Sequence, residues 1–205
     1  MSDPIVGVLF ALTASTSWAV GAVFARVGMR QVGSSLGTLI SLMAGFAVIS
    51  TIALIMDFDA VFSVSSSTLL WLALLGFIQF PVGRFLHYSG IRLAGVGPAS
   101  TVGGATPLFA AVMAIIFLGE QMTYPIAAGT VAVVVGLALV MSSTHAQGPT
   151  QRLGGPLTTG ILCSLGGATA YAAGHNIARH VVTSSAPAPV TATYTLFFGM
   201  TILAV

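Results

Sequence analysis

The chain has 205 residues, 56% of them apolar and only 5% charged, with a mean hydropathy of +1.02. Soluble domains carry about 25% charged residues, so this composition excludes a water-soluble globule and leaves an all-α, polytopic helical membrane protein. The net charge of +2 is small and scattered and gives no sign of a nucleic-acid partner.

All six basic residues are arginine (26, 30, 84, 92, 152 and 179). Without lysine there is neither a P-loop lysine nor a Schiff-base lysine in these residues. The single cysteine, Cys163, lies in an apolar stretch, can form no internal disulfide and reads as packing. Nothing in the pattern calls for a cofactor or a metal. The start, "MSDPIVGVLF", has no basic n-region, and its apolar run is too long for a cleaved signal, so it reads as a first membrane span.

A membrane-crossing helix needs roughly 20 apolar residues, and seven candidate spans follow in order. The first covers about 4–27. The second covers about 36–56 and stops at "DFD". The third runs from about Thr68 to Leu93, and the fourth, from about Val96 to Leu118, follows almost at once. "GEQMTYP" separates it from the fifth, about Pro125 to Ser142, whose proline falls in the first turn, where a missing N–H costs little. The polar stretch 142–156 is the longest break. The sixth span covers about Leu157 to Arg179, and a seventh apolar run starts near Val190. Gly37, Ser41 and Gly45, like Ala128, Ala132 and Gly136, recur every four residues, a spacing that lets helices pack closely in lipid.

A shift of 153 residues lays the sixth span on the first. Gly7, Leu9, Leu12, Thr16, Ala19, Gly21, Ala25 and Arg26 meet Gly160, Leu162, Leu165, Thr169, Ala172, Gly174, Ala178 and Arg179, and Trp18 meets Tyr171. Both copies end on arginine. Five spans separate their starts, and an odd number turns the second copy over in the membrane. Inverted repeats of this kind open one scaffold alternately to each side, around a site near the midplane. The expected organisation is a five-helix repeat over 1–142, a linker over 143–156, and the first two helices of a second, inverted repeat over 157–205. Completing that repeat takes about another hundred residues, by the length of the first. About seven of an expected ten spans are present, so the chain reads as truncated.

The five-span unit, above all "GRFLHYSGIRLAGVGPASTVGGATPLFAAVMAIIFLGEQMTYPIAAGTVAVVVGLALV" (83–140), resembles the EamA domain of the drug/metabolite transporter superfamily. Arg84 with Tyr88 on the third span, Pro107 in the fourth and Gly119-Glu120 at its end carry the resemblance. It implies a ten-helix, two-repeat carrier for small metabolites, amino acids or drugs, usually an exporter. It also implies a multi-pass protein of a bacterial cytoplasmic membrane, whose partners are the lipid bilayer and a small solute. Oligomeric state is left open.

Several side chains are candidates for the solute cavity. On a uniform α-helix Gly76, Gln79, Gly83, Arg84 and His87 share an arc of roughly 140°, with Tyr88 just beyond. Arg84 stands far enough from the span end to be an intramembrane charge, which is by default a functional hypothesis. The competing account is snorkelling towards water. On the sixth span Tyr171, His175 and Arg179 share a stripe with Asn176 beside it; on the first, Ser15, Trp18 and Arg26 occupy the matching stripe. Trp18 and Tyr171 lie too deep for ordinary interface anchors. His175 and Asn176 replace Ala22 and Val23 of the first copy, which suits solute contact; the competing account is a helix–helix hydrogen bond. Arg26 and Arg179, at span ends, read as anchors. Pro107 is expected to kink the fourth span, and Glu120 to make a structural or gate-closing contact.

No carboxylate lies mid-membrane: Asp3, Asp57, Asp59 and Glu120 all fall near span ends. That argues against carboxylate-driven antiport within these residues. Arg30, Arg92 and Arg152 share one side, which by the positive-inside rule puts the N-terminus outside; the resemblance implies a cytoplasmic N-terminus, and both orientations stay open. The functional expectation is alternating-access transport of a small solute without covalent chemistry. A membrane-embedded enzyme acting on lipid, or a non-transporting remnant, are the alternatives; the dispersed acids disfavour the enzyme.

Overall fold

The computed structural model describes residues 4–28, 34–119, 121, 123–145 and 155–204. Among them there is helix and no strand. Three helices are long and apolar enough to cross a membrane: Leu36–Met56, Ser66–Ala94 and Val96–Phe117. Shorter apolar helices cover Ile5–Gly21, Ala127–Gly136 and Ala188–Ala204. Large apolar side chains such as Ile55, Leu70 and Phe117 are more than 70% exposed. That is unfavourable in water and ordinary against lipid tails. The chain is an integral, multi-pass, all-α membrane protein.

It divides into two compact units, Met1–Ser41 and Leu42–Val205. The first contains helix α1 (Pro4–Gly28) and the start of α2 (Ser34–Met56). Polar residues are tolerated inside α1 because their hydroxyls bond back to the helix. Thr13 donates to the Leu9 carbonyl (2.8 Å), Ser15 to Ala11 (2.8 Å) and Thr16 to Leu12 (2.9 Å).

In the second unit the end of α2 leads through a short helix, α3 (Phe58–Phe62), to α4 (Ser66–Phe77). The Ser65 hydroxyl caps α4 by accepting from the Thr68 amide. The third span was expected as one uniform helix, and here the structure differs. After α4 the chain winds as a π-helix over Ile78–Arg84 before resuming as α5 (Phe85–Ala94). Pro81 lies inside the π segment, where its missing N–H removes an α-type hydrogen bond and its ring excludes the regular ladder.

Gly95, at φ 87°, turns the chain sharply out of α5. The fourth span follows as two pieces, α6 (Val96–Gly103) and α7 (Thr106–Leu118). A tight turn joins them: Gly104 N–H donates to Ser100, and Ala105 N–H to Val102. Pro107 occupies the first turn of α7, a position where a missing N–H leaves no intrahelical bond unmade. Helix α8 (Tyr124–His145) follows.

Helix α9 (Pro156–Ser184) is the longest, at 29 residues. It is also the most surrounded, packing on α4, the π segment, α5, α6 and α7, and on α10 (Ala188–Ala204). A helix shielded by protein needs less apolar surface than one facing lipid, which accounts for its glycine, serine and threonine content.

Small residues set the α9 register on the third span. A Cβ added at Gly160 would meet Ala94 and Leu93. One at Gly90 would meet Ser164, one at Gly167 would meet His87, and one at Gly174 would meet Gln79. Rising numbers on α9 pair with falling numbers on the third span, so the two run antiparallel with backbones nearly touching. Helix α10 takes the other half: Gly76 lies against the Thr195 carbonyl and the Gly199 amide, and Phe80 lies against Gly199. A core of Ala53, Leu72, Leu75, Val181, Ala186 and Val190 closes this end. The Tyr194 hydroxyl donates to the Val61 carbonyl there (2.8 Å).

The buried hydroxyls of Thr101, Thr193 and Thr195 donate to carbonyls of their own helices, at Gly97, Pro189 and Thr191. In lipid this removes the penalty of unmade hydrogen bonds.

Candidate functional site

The cluster of interest forms where the end of the π segment meets the middle of α9. Arg84 is the last π residue. Its guanidinium lies over the Phe80 ring, 5.3 Å from the centroid, a cation–π distance. Tyr171 on α9 lies close enough for the Arg84 charge to act on its side chain. The Tyr171 ring reaches this point because Gly83 faces it: a Cβ there would lie 3.2 Å from Tyr171 Cε1. His87, one turn beyond Gly83, stands edge-on to Tyr171 with centroids 6.2 Å apart, and the Tyr88 ring lies 6.2 Å from that of His87. All four of Arg84, His87, Tyr88 and Tyr171 are half-buried.

His87 is held from two directions. A Cβ at Gly103 of α6 would lie 3.2 Å from His87 Cε1, and one at Gly167 would lie 3.0 Å from the His87 amide nitrogen. His87 Nδ1 and Ser164 Oγ are buried without a hydrogen-bond partner among the described residues. Gln79 lies one π turn earlier, half-buried against Gly174, and its amide makes no hydrogen bond among the described residues.

Five of the sequence candidates thus converge where the third span meets α9: Gln79, Arg84, His87, Tyr88 and Tyr171. Gly76, expected on the same arc, faces α10 instead, because the π segment turns α5 relative to α4. Two candidates are placed differently. The Asn176 amide donates to the Ala110 carbonyl of α7 (3.1 Å) and to the Ala172 carbonyl of α9 (3.0 Å). With carbonyls on both sides, the nitrogen must face them; both N–H groups are engaged in holding α9 to α7. His175 is exposed and makes no hydrogen bond or ring contact among the described residues. Trp18, as a side chain, and Glu120 lie outside what the structure describes, and Pro107 is exposed at the start of α7.

The sequence reading missed Phe80, since an apolar ring in an apolar span gives no signal by itself. Its spacing of four residues before Arg84 was the available clue. It also missed Gly103 and Gly167, which press His87 into place.

Asn176→Leu is expected to lower stability by about 1 kcal/mol, the size of one interhelical hydrogen bond in lipid. Thermal unfolding in detergent checks this; an unchanged midpoint would mean the tie to Ala110 contributes nothing.

Residues 5–142 match the model of the EamA-like transporter family. The chain belongs to the EamA-like transporter family. It is 31% identical over 147 residues to "Uncharacterized transporter YvbV" of Bacillus subtilis (strain 168), covering 70% of this chain and 47% of that protein. It is 27% identical over 143 residues to an "Uncharacterized transporter" of Clostridium kluyveri, covering 69% of this chain and 46% of that protein. The chain therefore spans about half the length of the curated relatives it matches. No solved structure matches it. The EamA-like match includes α4, the π segment and α5 with Arg84, His87 and Tyr88; Tyr171 lies beyond it.

Proposed function

We propose that this EamA-like chain forms part of a carrier that exports a small organic solute by alternating access in a bacterial cytoplasmic membrane. Residues 1–142 supply one five-helix repeat, and 157–205 begin a second, inverted one joined by 143–156. The solute binds at Arg84, His87, Tyr88 and Tyr171, with Gln79 at the edge. The single observation that supports this most is the half-buried arginine held between an aromatic ring of its own span and a tyrosine of α9. A charge inside an apolar span is by default a functional hypothesis. The neighbours of Arg84 in this cluster are neutral or weakly basic, so the site favours solutes that carry a carboxylate, including amino acids. No step makes or breaks a covalent bond.

The test is flux of a labelled amino-acid mixture in proteoliposomes containing the full chain, against empty liposomes. Solute movement above the empty control, lowered by substitution at Arg84, supports the reading. Flux equal to the empty control would sink it for this chain.

A further inference from the structure

Helix α3 (Phe58–Phe62) stands between the ends of two spans, α2 at Met56 and α4 at Ser66. It therefore sits at one face of the membrane. At about 100° per residue, positions 58 to 63 divide into three sides. Ala60 and Val61 form the first, half-buried against the core that closes this end. The Tyr194 hydroxyl of α10 holds the Val61 carbonyl there. Phe58 and Phe62 form the second side. They are 59% and 72% exposed, with ring centroids 5.2 Å apart. Asp59 and the C-capping Ser63 form the third, and both are exposed.

An exposed pair of phenylalanines is unfavourable in water. The apolar surface on either side continues into it. Ile55 and Met56 at the end of α2, and Leu70 in the second turn of α4, are exposed in the same way, as side chains facing acyl chains are. Trp71 lies roughly 8 Å along α4 from Ser66, at 1.5 Å per residue, partly exposed and edge-on to His180 of α9 (5.8 Å). Its amphipathic ring suits the headgroup level of a bilayer. The polar side continues as well, into the exposed serines 65, 66 and 67. Separate apolar and charged sides are the pattern of a helix lying in the plane of the interface.

We infer that α3 is a lipid-docking foot: Phe58 and Phe62 enter the boundary between headgroups and acyl chains of a phospholipid leaflet, while Asp59 and Ser63 stay in water. This is independent of the transport reading. Phenyl rings bring apolar area to the boundary without a polar group that must be dehydrated. The Val61 amide donates to the Asp57 carbonyl (3.0 Å), which keeps main-chain groups paired close to lipid. The foot fixes the depth at which α2 ends and α4 begins, and the Tyr194–Val61 bond carries that depth to the start of α10.

The test uses the full chain carrying Cys163→Ser in phosphatidylcholine liposomes, with a nitroxide attached at Phe62→Cys or at Ser63→Cys. Collision with dioxygen, which concentrates among acyl chains, is compared with collision with a water-soluble nickel chelate. The dioxygen-to-nickel ratio is expected to be at least about fivefold higher at position 62 than at 63. Equal ratios dominated by nickel would mean that α3 stands in water. Low collision with both reagents at 62 would mean that protein covers it. Either result overturns the inference. A second measurement leaves α3 intact. The chain has two tryptophans, so Trp18→Phe leaves Trp71 as the only one. Its fluorescence should be quenched more strongly by lipid brominated near the headgroup than by lipid brominated near the chain end. Stronger quenching by the deep bromine would take the start of α4, and α3 with it, away from the boundary and overturn the inference as well.

Discussion

Replacing Gly160 by alanine should destabilise the protein by up to about 2 kcal/mol, despite alanine being the better helix former. The added Cβ would lie 2.6 Å from the Ala94 amide nitrogen and 2.7 Å from the Ala94 Cβ, with Leu93 Cβ at 2.9 Å. These are main-chain and first-carbon atoms, which cannot swing away as the end of a flexible side chain can. Overpacking of that kind costs about 1–3 kcal/mol and at times more. The intrinsic helix gain from glycine to alanine is about 1 kcal/mol, so the clash prevails or, at the low end, cancels it. Gly129 on α8 is the control: a Cβ there meets nothing within 4 Å. Gly129→Ala should leave stability unchanged or raise it by up to about 1 kcal/mol. Unfolding midpoints of both variants in detergent decide the matter. If Gly160→Ala melts no lower than Gly129→Ala, the close approach of α9 to α5 is wrong.

Arg84→Ala should lower flux of carboxylate-bearing solutes by roughly 10- to 100-fold, the equivalent of losing one charged hydrogen bond of about 1.5–3 kcal/mol. Arg84→Lys keeps the charge but loses the planar fork that can face Tyr171 and stack on Phe80 together, so it should restore little of the activity. Tyr171→Phe keeps the ring against Gly83 and His87 and removes only the hydroxyl; a smaller loss, of about tenfold or less, is expected there. Flux in proteoliposomes and thermal midpoints are measured side by side. Undiminished flux in Arg84→Ala would remove Arg84 from the site. A midpoint that collapses together with flux would assign the arginine to holding the third span to α9 instead.

The membrane class was legible because ten charges cannot cover a soluble surface of this size. The third span was legible by its length, and Arg84, His87 and Tyr88 by being polar groups inside it. Tyr171 emerged from the internal match with Trp18, although that match says nothing of what Tyr171 touches. Asn176 shows the limit of such reasoning. A polar residue that the first copy lacks fits solute contact and helix tying equally well; the structure shows its amide donating to the Ala110 carbonyl of α7. Ala110 is 66 residues away, and no local pattern on α9 points to it.

What the sequence alone determined is the solvent of this protein and the family to which it belongs. Hydropathy is a sum over local residues, and the resemblance at 83–140 is carried by residues in one contiguous stretch. What only the tertiary structure decided is which way each polar group faces. The helical wheel assumes one pitch throughout, and the π segment at Pro81 breaks it, sending Gly76 to α10 and Gly90 to α9. The angle between α4 and α5 follows from the packing of two other helices against them. The meeting of Arg84 with Tyr171 depends on that angle, because their contact spans 87 residues of chain.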